Sequence, residues 1–441
     1  MITSNAFAGK RYAVLGLARS GVAVVDALRA SGAHVTAWDA REDARARYAQ
    51  AAPADIDPDV AGQAASSAVS LADPLEIDLA GYDGIIVSPG VPLNTHPIAQ
   101  KARAAGVAVI GDIELFARAR SSLPPHRVVG ITGTNGKSTT TALIHHILQT
   151  AGVPSLMGGN IGLPILDRDP LPQGGVYVLE LSSYQIDLTF GLDCDIALLT
   201  NITPDHLDRY DGFAGYVASK ARLFAMQSAG HTAVIAVDDA ETCRIAATRP
   251  DAIAVRASDI ADQSRWPSLQ GPHNAQNAAC AIAASTALGL SADTIEQGLR
   301  TYPGLPHRME RIAEKRGILY VNDSKATNAT ATAPALAAYP AIHWILGGVP
   351  KTDDLDDCAP FFGHVRAGYT IGQAGPMFAA ILRAAGKQVT ESMTLEQAVA
   401  DATFAAAPGE VVMLSPACAS FDQFNDYEAR GEAFRRTVEA L

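Results

Sequence analysis

Gly130-Ile-Thr-Gly-Thr-Asn-Gly-Lys-Ser-Thr139 is the stretch on which the reading of the fold turns. An apolar run, residues 127–132, leads into it, and a segment with helical spacing, residues 138–150, leads out. A strand that enters a glycine-rich turn and leaves as a helix lets successive backbone N–H groups and the helix N-terminus converge on a phosphate chain. In that arrangement Lys137 reaches the β- and γ-phosphates and the Ser138 hydroxyl ligates Mg²⁺. The strict G-x-x-x-x-G-K-[ST] pattern needs glycine where Ile131 stands, and Gly133 takes over the loop, so this is a variant phosphate loop.

Downstream, residues 176–181, 196–200 and 233–237 read as buried strands, and the Ala-rich residues 274–288 as a long helix. Glu180 ends its strand, and Asp205-His206 follow the next one. Alone, a strand-end Glu is a solvated terminus. One crossover beyond a phosphate loop it stands where a Mg²⁺ contact belongs in a nucleotide-binding sheet. His206 has a similar place, and Lys220 lies on a helical segment with no signal of its own.

Upstream, residues 12–15 form a short strand before Gly16-Leu-Ala-Arg-Ser-Gly21, a helix over 22–30 and a strand over 34–38 that ends on Asp39. The turn is similar to a dinucleotide fingerprint, but Ala18 replaces the glycine that lets a pyrophosphate approach, and Arg19 adds a cation. That favours a nucleotide diphosphate. A further strand, 84–88, runs into Pro89-Gly90-Val91-Pro92, and the polar residues 121–126 read as a linker. Beyond Gly304-Leu-Pro-His-Arg308 come strands at 318–321, 343–346, 369–371 and 411–414, then a terminal helix over 427–441. Asn322-Asp-Ser-Lys-Ala-Thr-Asn328 and Ser415-Pro-Ala-Cys-Ala-Ser-Phe-Asp-Gln-Phe424 follow strands, the usual place for ligands in open α/β sheets. The expectation is an α/β chain of three domains, 1–120, 121–303 and 304–441, since strands alternating with helices build parallel sheets.

Composition agrees with that reading. Of 441 residues 48% are hydrophobic, enough for several cores, and the net charge of -12 argues against wrapping a nucleic-acid backbone. No run of about 18 uncharged apolar residues suggests a membrane span. The five cysteines are scattered without a C-x-x-C pair, which fits a reducing compartment rather than a disulfide framework. A cytoplasmic protein, monomeric and not inserted in a membrane, is expected.

Several motifs then occur in one order. Gly133-Thr-Asn-Gly-Lys-Ser-Thr139 is followed by Gly159-Asn160-Ile-Gly162, Glu180-Leu-Ser-Ser-Tyr-Gln185 and Asp205-His206-Leu-Asp-Arg-Tyr210. His273-Asn274-x-x-Asn277, His307-Arg308 and the 322–328 motif come next. The whole chain resembles the Mur ligases of peptidoglycan synthesis, and its 322–328 and 415–424 motifs resemble the branch that adds D-glutamate to UDP-N-acetylmuramoyl-L-alanine. The resemblance implies a Rossmann-like domain for the UDP substrate, a central ATPase-type domain and a Rossmann-like domain for the amino acid. It implies that Gly133, Thr134, Asn135, Gly136, Lys137, Ser138 and Thr139 hold the ATP phosphates, with Ser138 and Glu180 on one Mg²⁺. His206 and a carbamylated Lys220 would serve a second Mg²⁺. Asn274 and Asn277 would flank the adenine, and Arg308 and Asp323 would meet phosphate and ribose. The UDP moiety would fall to Arg19, Ser20, Asp39, Arg41, Ser88 and Gly90, with Asn160 and His206 near the acceptor end. Lys325, Thr327, Lys351, Ser420 and Phe421 would form the amino-acid pocket.

Two positions depart from the pattern: Pro350 precedes Lys351 where an acidic residue or glycine is usual, and Ala40 stands where a hydroxyl often meets uracil. The implied chemistry is phosphorylation of the alanyl carboxylate by ATP and attack of the glutamate amine on the acyl phosphate. Three other readings stay open at this point: an NAD-dependent oxidoreductase from the first block alone, a regulatory ATP-binding module, and a sibling ligase that adds another residue.

Overall fold

The computed structural model describes residues 1–49 and 69–441. Three sheets account for the strands. The first contains β1 (Arg11–Leu15), β2 (His34–Trp38), β3 (Val69–Leu71), β4 (Gly84–Val87) and β5 (Val109–Ile110), in the order β3-β2-β1-β4-β5 and parallel throughout. The second contains β6 (His126–Thr132), β7 (Ser155–Gly159), β8 (Gly175–Glu180), β9 (Ile196–Leu199), β10 (Thr232–Ala236) and β11 (Ile253–Val255), in the order β11-β10-β9-β6-β8-β7 and also parallel. The third contains β12 (Glu310–Lys315), β13 (Ile318–Asn322), β14 (Ile342–Gly347), β15 (Val365–Ile371), β16 (Gln388–Met393) and β17 (Val411–Leu414), in the order β12-β13-β17-β14-β15-β16 with β12 antiparallel.

Central parallel strands are covered on both faces, which is why they read as unbroken apolar runs. β8 (Gly-Val-Tyr-Val-Leu-Glu) and β9 (Ile-Ala-Leu-Leu) are buried at every position. Each fully buried Leu or Ile there contributes about 1.5–3 kcal/mol relative to an exposed one. Gly130 in β6 is required by that packing, because a Cβ there would lie 2.6 Å from Cys194 Sγ. The first two sheets also wind in both directions from their earliest strand, β1 and β6. In the second sheet β6 has β8 on one side and β9 on the other, so a crevice opens at the carboxyl end of β6, where ligands bind in such sheets.

Differences from the expected elements have simple causes. The helices begin earlier, at Arg19 and Lys137, because their glycine turns close directly onto the first helical turn. The 121–126 linker is almost absent: Arg120–Ser122 is a single 3₁₀ turn and His126 already belongs to β6. β12 (Glu-Arg-Ile-Ala-Glu-Lys), rich in charge, and β16 (Gln-Val-Thr-Glu-Ser-Met), mostly polar, are edge strands whose charged and polar residues hide the alternation and protect the open edge. None of the five cysteines is paired, and only Cys243 is exposed. Among the described residues no helix is long and apolar enough to cross a membrane.

The chain forms two compact units. Met1–Val255 with Cys280–Thr294 carries the first two sheets, and Arg256–Ala279 with Ile295–Leu441 carries the third. Within the first unit the two sheets are tied by backbone bonds from Ile2 N to Leu166 O (2.9 Å) and from Gly111 N to Leu188 O (3.0 Å). The buried Glu114 carboxylate adds to this by accepting from the N–H groups of Phe190 and Gly191, both at 2.8 Å. These bonds fix the first sheet relative to the crevice of the second.

Candidate active site

β6 delivers the chain into the phosphate loop through Gly133, whose φ of 149° and whose hypothetical Cβ, 2.0 Å from Thr200 Oγ1, admit only glycine. The segment after β9 then holds the loop open. Thr134 N donates to Asn201 O and Asn135 N to Asn201 Oδ1, both at 2.8 Å, while Thr200 Oγ1 donates to Asn135 O at 2.7 Å. Gly136 (φ 83°) caps the helix Lys137–Thr150, which turns the first-turn N–H groups toward the crevice. Lys137 Nζ folds over the loop and donates to the carbonyls of Gly133 (2.9 Å) and Thr134 (2.7 Å). Ser138 is buried and Thr139 half-buried at the same helix end. Thr200 and Asn201 carried no signal as separate residues, because their role comes from strand order.

Glu180, at the end of β8, is 2% exposed. Its Oε1 accepts from Asn160 Nδ2 at 2.9 Å, whereas its Oε2 is buried with no partner among the described residues. An unpaired buried carboxylate oxygen is costly, and a cation would satisfy it. Among the described residues no group of three or more His, Cys, Asp or Glu could hold a metal. One carboxylate, a serine hydroxyl and phosphate oxygens suit Mg²⁺, which keeps much of its shell outside the protein. The residues present therefore fit that ion.

Lys220 gains from the tertiary structure what its sequence neighbourhood withheld. It is 1% exposed, its Nζ lies 2.7 Å from Gly133 O, and it sits 4.5 Å from the centre of the Tyr216 ring. Burial, and next the Lys137 charge, push its amine down to about 6 against the pull of Asp205, Asp187 and Glu180. The group is largely an uncharged amine at neutral pH. His206 lies on the rim, 48% exposed with φ 52°, its Nε2 3.4 Å from Asp205 Oδ2. Its ring centre is 6.3 Å from Tyr216, so His206 and Lys220 flank one aromatic ring.

At the first sheet, Gly16 (φ 100°) turns beneath Ser88, and a Cβ on it would lie 2.6 Å from Ser88 Oγ. Asp39 pins the turn by accepting from Leu17 N (2.7 Å) and Arg41 N (3.0 Å). Burial would raise its carboxyl, but those bonds and the Arg41 charge outweigh it and hold the carboxyl below the usual range. Ser88 Oγ is buried without a partner among the described residues, Ser20 is half-buried, and Arg19, Arg41 and Gly90 are exposed. The carbonyl of Ala40, the departing position, accepts from Arg45 Nη1 at 3.0 Å.

In the second unit Asn277 Nδ2 donates to Asn274 Oδ1 at 3.1 Å, which makes one polar pair of the two asparagines. Asp323 accepts from Ser415 Oγ (2.8 Å) and Met309 N (3.1 Å), and burial pushes its carboxyl up to about 7 with only partial relief from these bonds and Arg308. Lys351 Nζ donates to Thr327 Oγ1 at 3.3 Å, so Pro350 does not keep those two residues apart. Lys325 Nζ stands 3.8 Å from the ring centre of Tyr427, which the sequence had marked only as a helix start. Ser420 is buried, whereas Phe421 is 72% exposed. Beneath them the buried Arg430 donates to Ser324 Oγ (3.0 Å), Ser324 O (2.9 Å) and Cys418 O (3.0 Å), joining the loops after β13 and β17.

Family models match three stretches of the chain: Mur ligase MurD-like, N-terminal domain over residues 10–111, Mur ligase middle domain over 131–267, and Mur ligase, glutamate ligase domain over 307–418. UDP-N-acetylmuramoylalanine–D-glutamate ligase of Novosphingobium aromaticivorans is 62% identical over 447 residues, covering 100% of this chain and 97% of the relative. The chain belongs to the Mur ligases. The protein of the same description from Sphingopyxis alaskensis is also 62% identical, with 100% of both chains covered. Among solved structures, this Mur ligase shares its fold with UDP-N-acetylmuramate–alanine ligase from Thermotoga maritima, at a TM-score of 0.56 and 16% identity over 98% of this chain and 99% of that one. Membership accounts for three sheets in series and for an ATP-directed phosphate loop on the middle one.

Proposed function

We propose that this Mur ligase joins D-glutamate to UDP-N-acetylmuramoyl-L-alanine at the expense of ATP, in the synthesis of peptidoglycan precursors. The observation that carries the reading is end-to-end identity of 62% with ligases of that description, over a chain that keeps the phosphate loop and Glu180. In this reading residues 1–120 bind the UDP substrate, 121–303 bind ATP, and 304–441 bind the amino acid. The cytoplasm, where such precursors and ATP are available, is its compartment, and the monomer is its working form.

A carboxylate is a poor electrophile at neutral pH. One oxygen of the alanyl carboxylate attacks the γ-phosphorus of ATP, and ADP leaves. The glutamate amine then attacks the acyl carbon, loses a proton, and phosphate departs from the tetrahedral intermediate. Lys137 and the loop N–H groups stabilise charge that gathers on the transferring phosphoryl group. Mg²⁺, when bound through Ser138 and Glu180, supplies Lewis-acid charge neutralisation between phosphates and carboxylate. The amine of Lys220, kept neutral by burial, is the form that attacks CO₂; the nitrogen then loses a proton to solvent, and the carbamate would place an anionic oxygen donor on the His206 side of the site. Its N–H can retain the bond to Gly133 O. Asn274, Asn277, Arg308 and Asp323 serve ATP, while Lys325, Thr327, Lys351, Ser420 and Phe421 serve glutamate. Arg19, Ser20, Asp39, Arg41, Ser88, Gly90 and Asn160 serve the UDP substrate.

Phosphate release from ATP, followed with UDP-N-acetylmuramoyl-L-alanine and a panel of D- and L-amino acids, tests this. Release with D-glutamate alone is expected. Equal release with another amino acid would identify a sibling ligase, and ATP turnover indifferent to amino acids would leave only a nucleotide-binding module.

A further inference from the structure

The loop that carries His206 has almost no core of its own. Asp205, Leu207 and Asp208 are exposed, and His206 itself is strained at positive φ. What holds the loop is Arg209. Its guanidinium donates to three consecutive carbonyls of the turn after β4, with Nη2 to Val91 O at 2.8 Å and to Pro89 O at 3.4 Å and Nη1 to Gly90 O at 3.3 Å. On its other side the guanidinium lies 4.2 Å from the centre of the Tyr184 ring, and that ring is 5.0 Å from His206. Asn94 Nδ2 adds a second tie from the same turn, to Asp208 O at 3.0 Å. One planar cation thus joins a turn of the first sheet to the aromatic support of a loop of the second, some 120 residues further along the chain.

We infer that Arg209 is a positioning residue that sets the distance between the UDP-substrate turn at Ser88–Val91 and the phosphate loop, and so the placement of the acceptor carboxylate. The inference rests on the function proposed above. A guanidinium is suited to the task because its fixed fork reaches several carbonyls while its face stacks on an aromatic ring; an ammonium can do neither together. A misplacement of about 1 Å at such a distance costs on the order of 100-fold in rate.

Hydrogen exchange on the wild type, Arg209→Ala and Arg209→Lys, without substrates, reads the latch itself. Both variants should exchange at least about 10-fold faster at residues 88–94 and 205–209, with the phosphate loop unchanged and the melting temperature little altered. Steady-state kinetics on the same proteins reads its consequence. kcat/KM for UDP-N-acetylmuramoyl-L-alanine should fall about 100-fold in both variants, while KM for ATP stays within about twofold. Tyr184→Leu should reproduce part of the loss and Tyr184→Phe almost none. Unchanged exchange at 88–94, full activity of Arg209→Lys, or equal loss toward both substrates would overturn the inference. A wild type that shows the exchange contrast but no ligation would overturn the functional reading on which the role depends.

Discussion

The molecule has two glycine turns built on one plan and put to different use. At each, a central parallel strand ends in glycine and a helix begins: β1 with Gly16 before Arg19, and β6 with Gly133 before Lys137. Around the second, ionisable groups are buried. Glu180 and Lys220 are at most 2% exposed, and Lys137 is drawn back onto loop carbonyls. Around the first, the cations Arg19 and Arg41 are exposed, and the anchoring carboxylate Asp39 is committed to backbone N–H groups. Exposed charges near a diphosphate are screened by water and supply modest affinity. Buried charges in a dry crevice can stabilise a transition state, since water no longer weakens them. Under the proposed function the same backbone device would hold a substrate at the first turn and activate one at the second.

The largest contrast should come from the loop lysine. Lys137→Ala is expected to lower kcat by about 100- to 1000-fold with little change in melting temperature, because the half-buried side chain is not part of a core. Near-normal turnover in the folded variant would place the second turn in the same class as the first. Next, Lys220→Ala should lose about 100-fold, with partial recovery in high concentrations of a small carboxylic acid that supplies the missing oxygens. Full activity of Lys220→Arg, which forms no carbamate, would remove Lys220 from the metal site. At the first turn the effect should be smaller. Arg19→Ala is expected to raise KM for the UDP substrate about 10-fold, equivalent to about 1.4 kcal/mol, and to leave KM for ATP alone. A drop in kcat of the size seen for Lys137→Ala would erase the distinction between holding and activating.

The last effect is on stability rather than activity: it concerns pH and carries opposite signs at the two turns. Asp112, buried beside the first turn, has its carboxyl pushed up from 3.8 to about 6 by burial, with the Ile113 N–H opposing. The folded state keeps that proton where the unfolded chain has lost it, so wild-type stability falls as pH climbs between those values. Asp112→Asn should gain relative to wild type by at most about 3 kcal/mol between pH 4 and 7, read from denaturant midpoints. Lys220 runs the other way: its amine is lowered from 10.5 to about 6, the unfolded chain holds the extra proton, and wild-type stability rises with pH across that window. Lys220→Met should flatten that slope. Parallel pH profiles for the two variants would show that the turns do not differ in buried charge.

What was legible in the sequence and what was not divide along a physical line. The apolar runs behind β6, β8, β9, β14 and β17, the glycines of both turns and the lysine-serine step into a helix are local features. Backbone sterics and burial of both sheet faces write them into contiguous residues, so three α/β sheets and a phosphate loop are readable from the order of amino acids. The order of family motifs marked Lys325, Thr327 and Lys351 as well, and the structure brings Lys351 and Thr327 within 3.3 Å. Edge strands β12 and β16 were not legible, because the charged and polar residues that protect an open edge remove the pattern that reveals a strand. The motif order marked Lys220 too, but its neighbours Ser219 and Ala221 say nothing of a buried amine; its altered chemistry arises from desolvation by distant segments and from Lys137. The partnerless oxygen of Glu180, the grip of Asn201 on the loop and the reach of Arg209 to three carbonyls of a distant turn belong to the same class. By itself the sequence determined the central strands and the turns, because those depend on local sterics and periodicity, and the order of its motifs supplied the candidate residues through the family resemblance. Tertiary structure alone decided which of those residues are dry, which share a crevice and which brace another, because desolvation and through-space contact are properties of segments that meet only after folding.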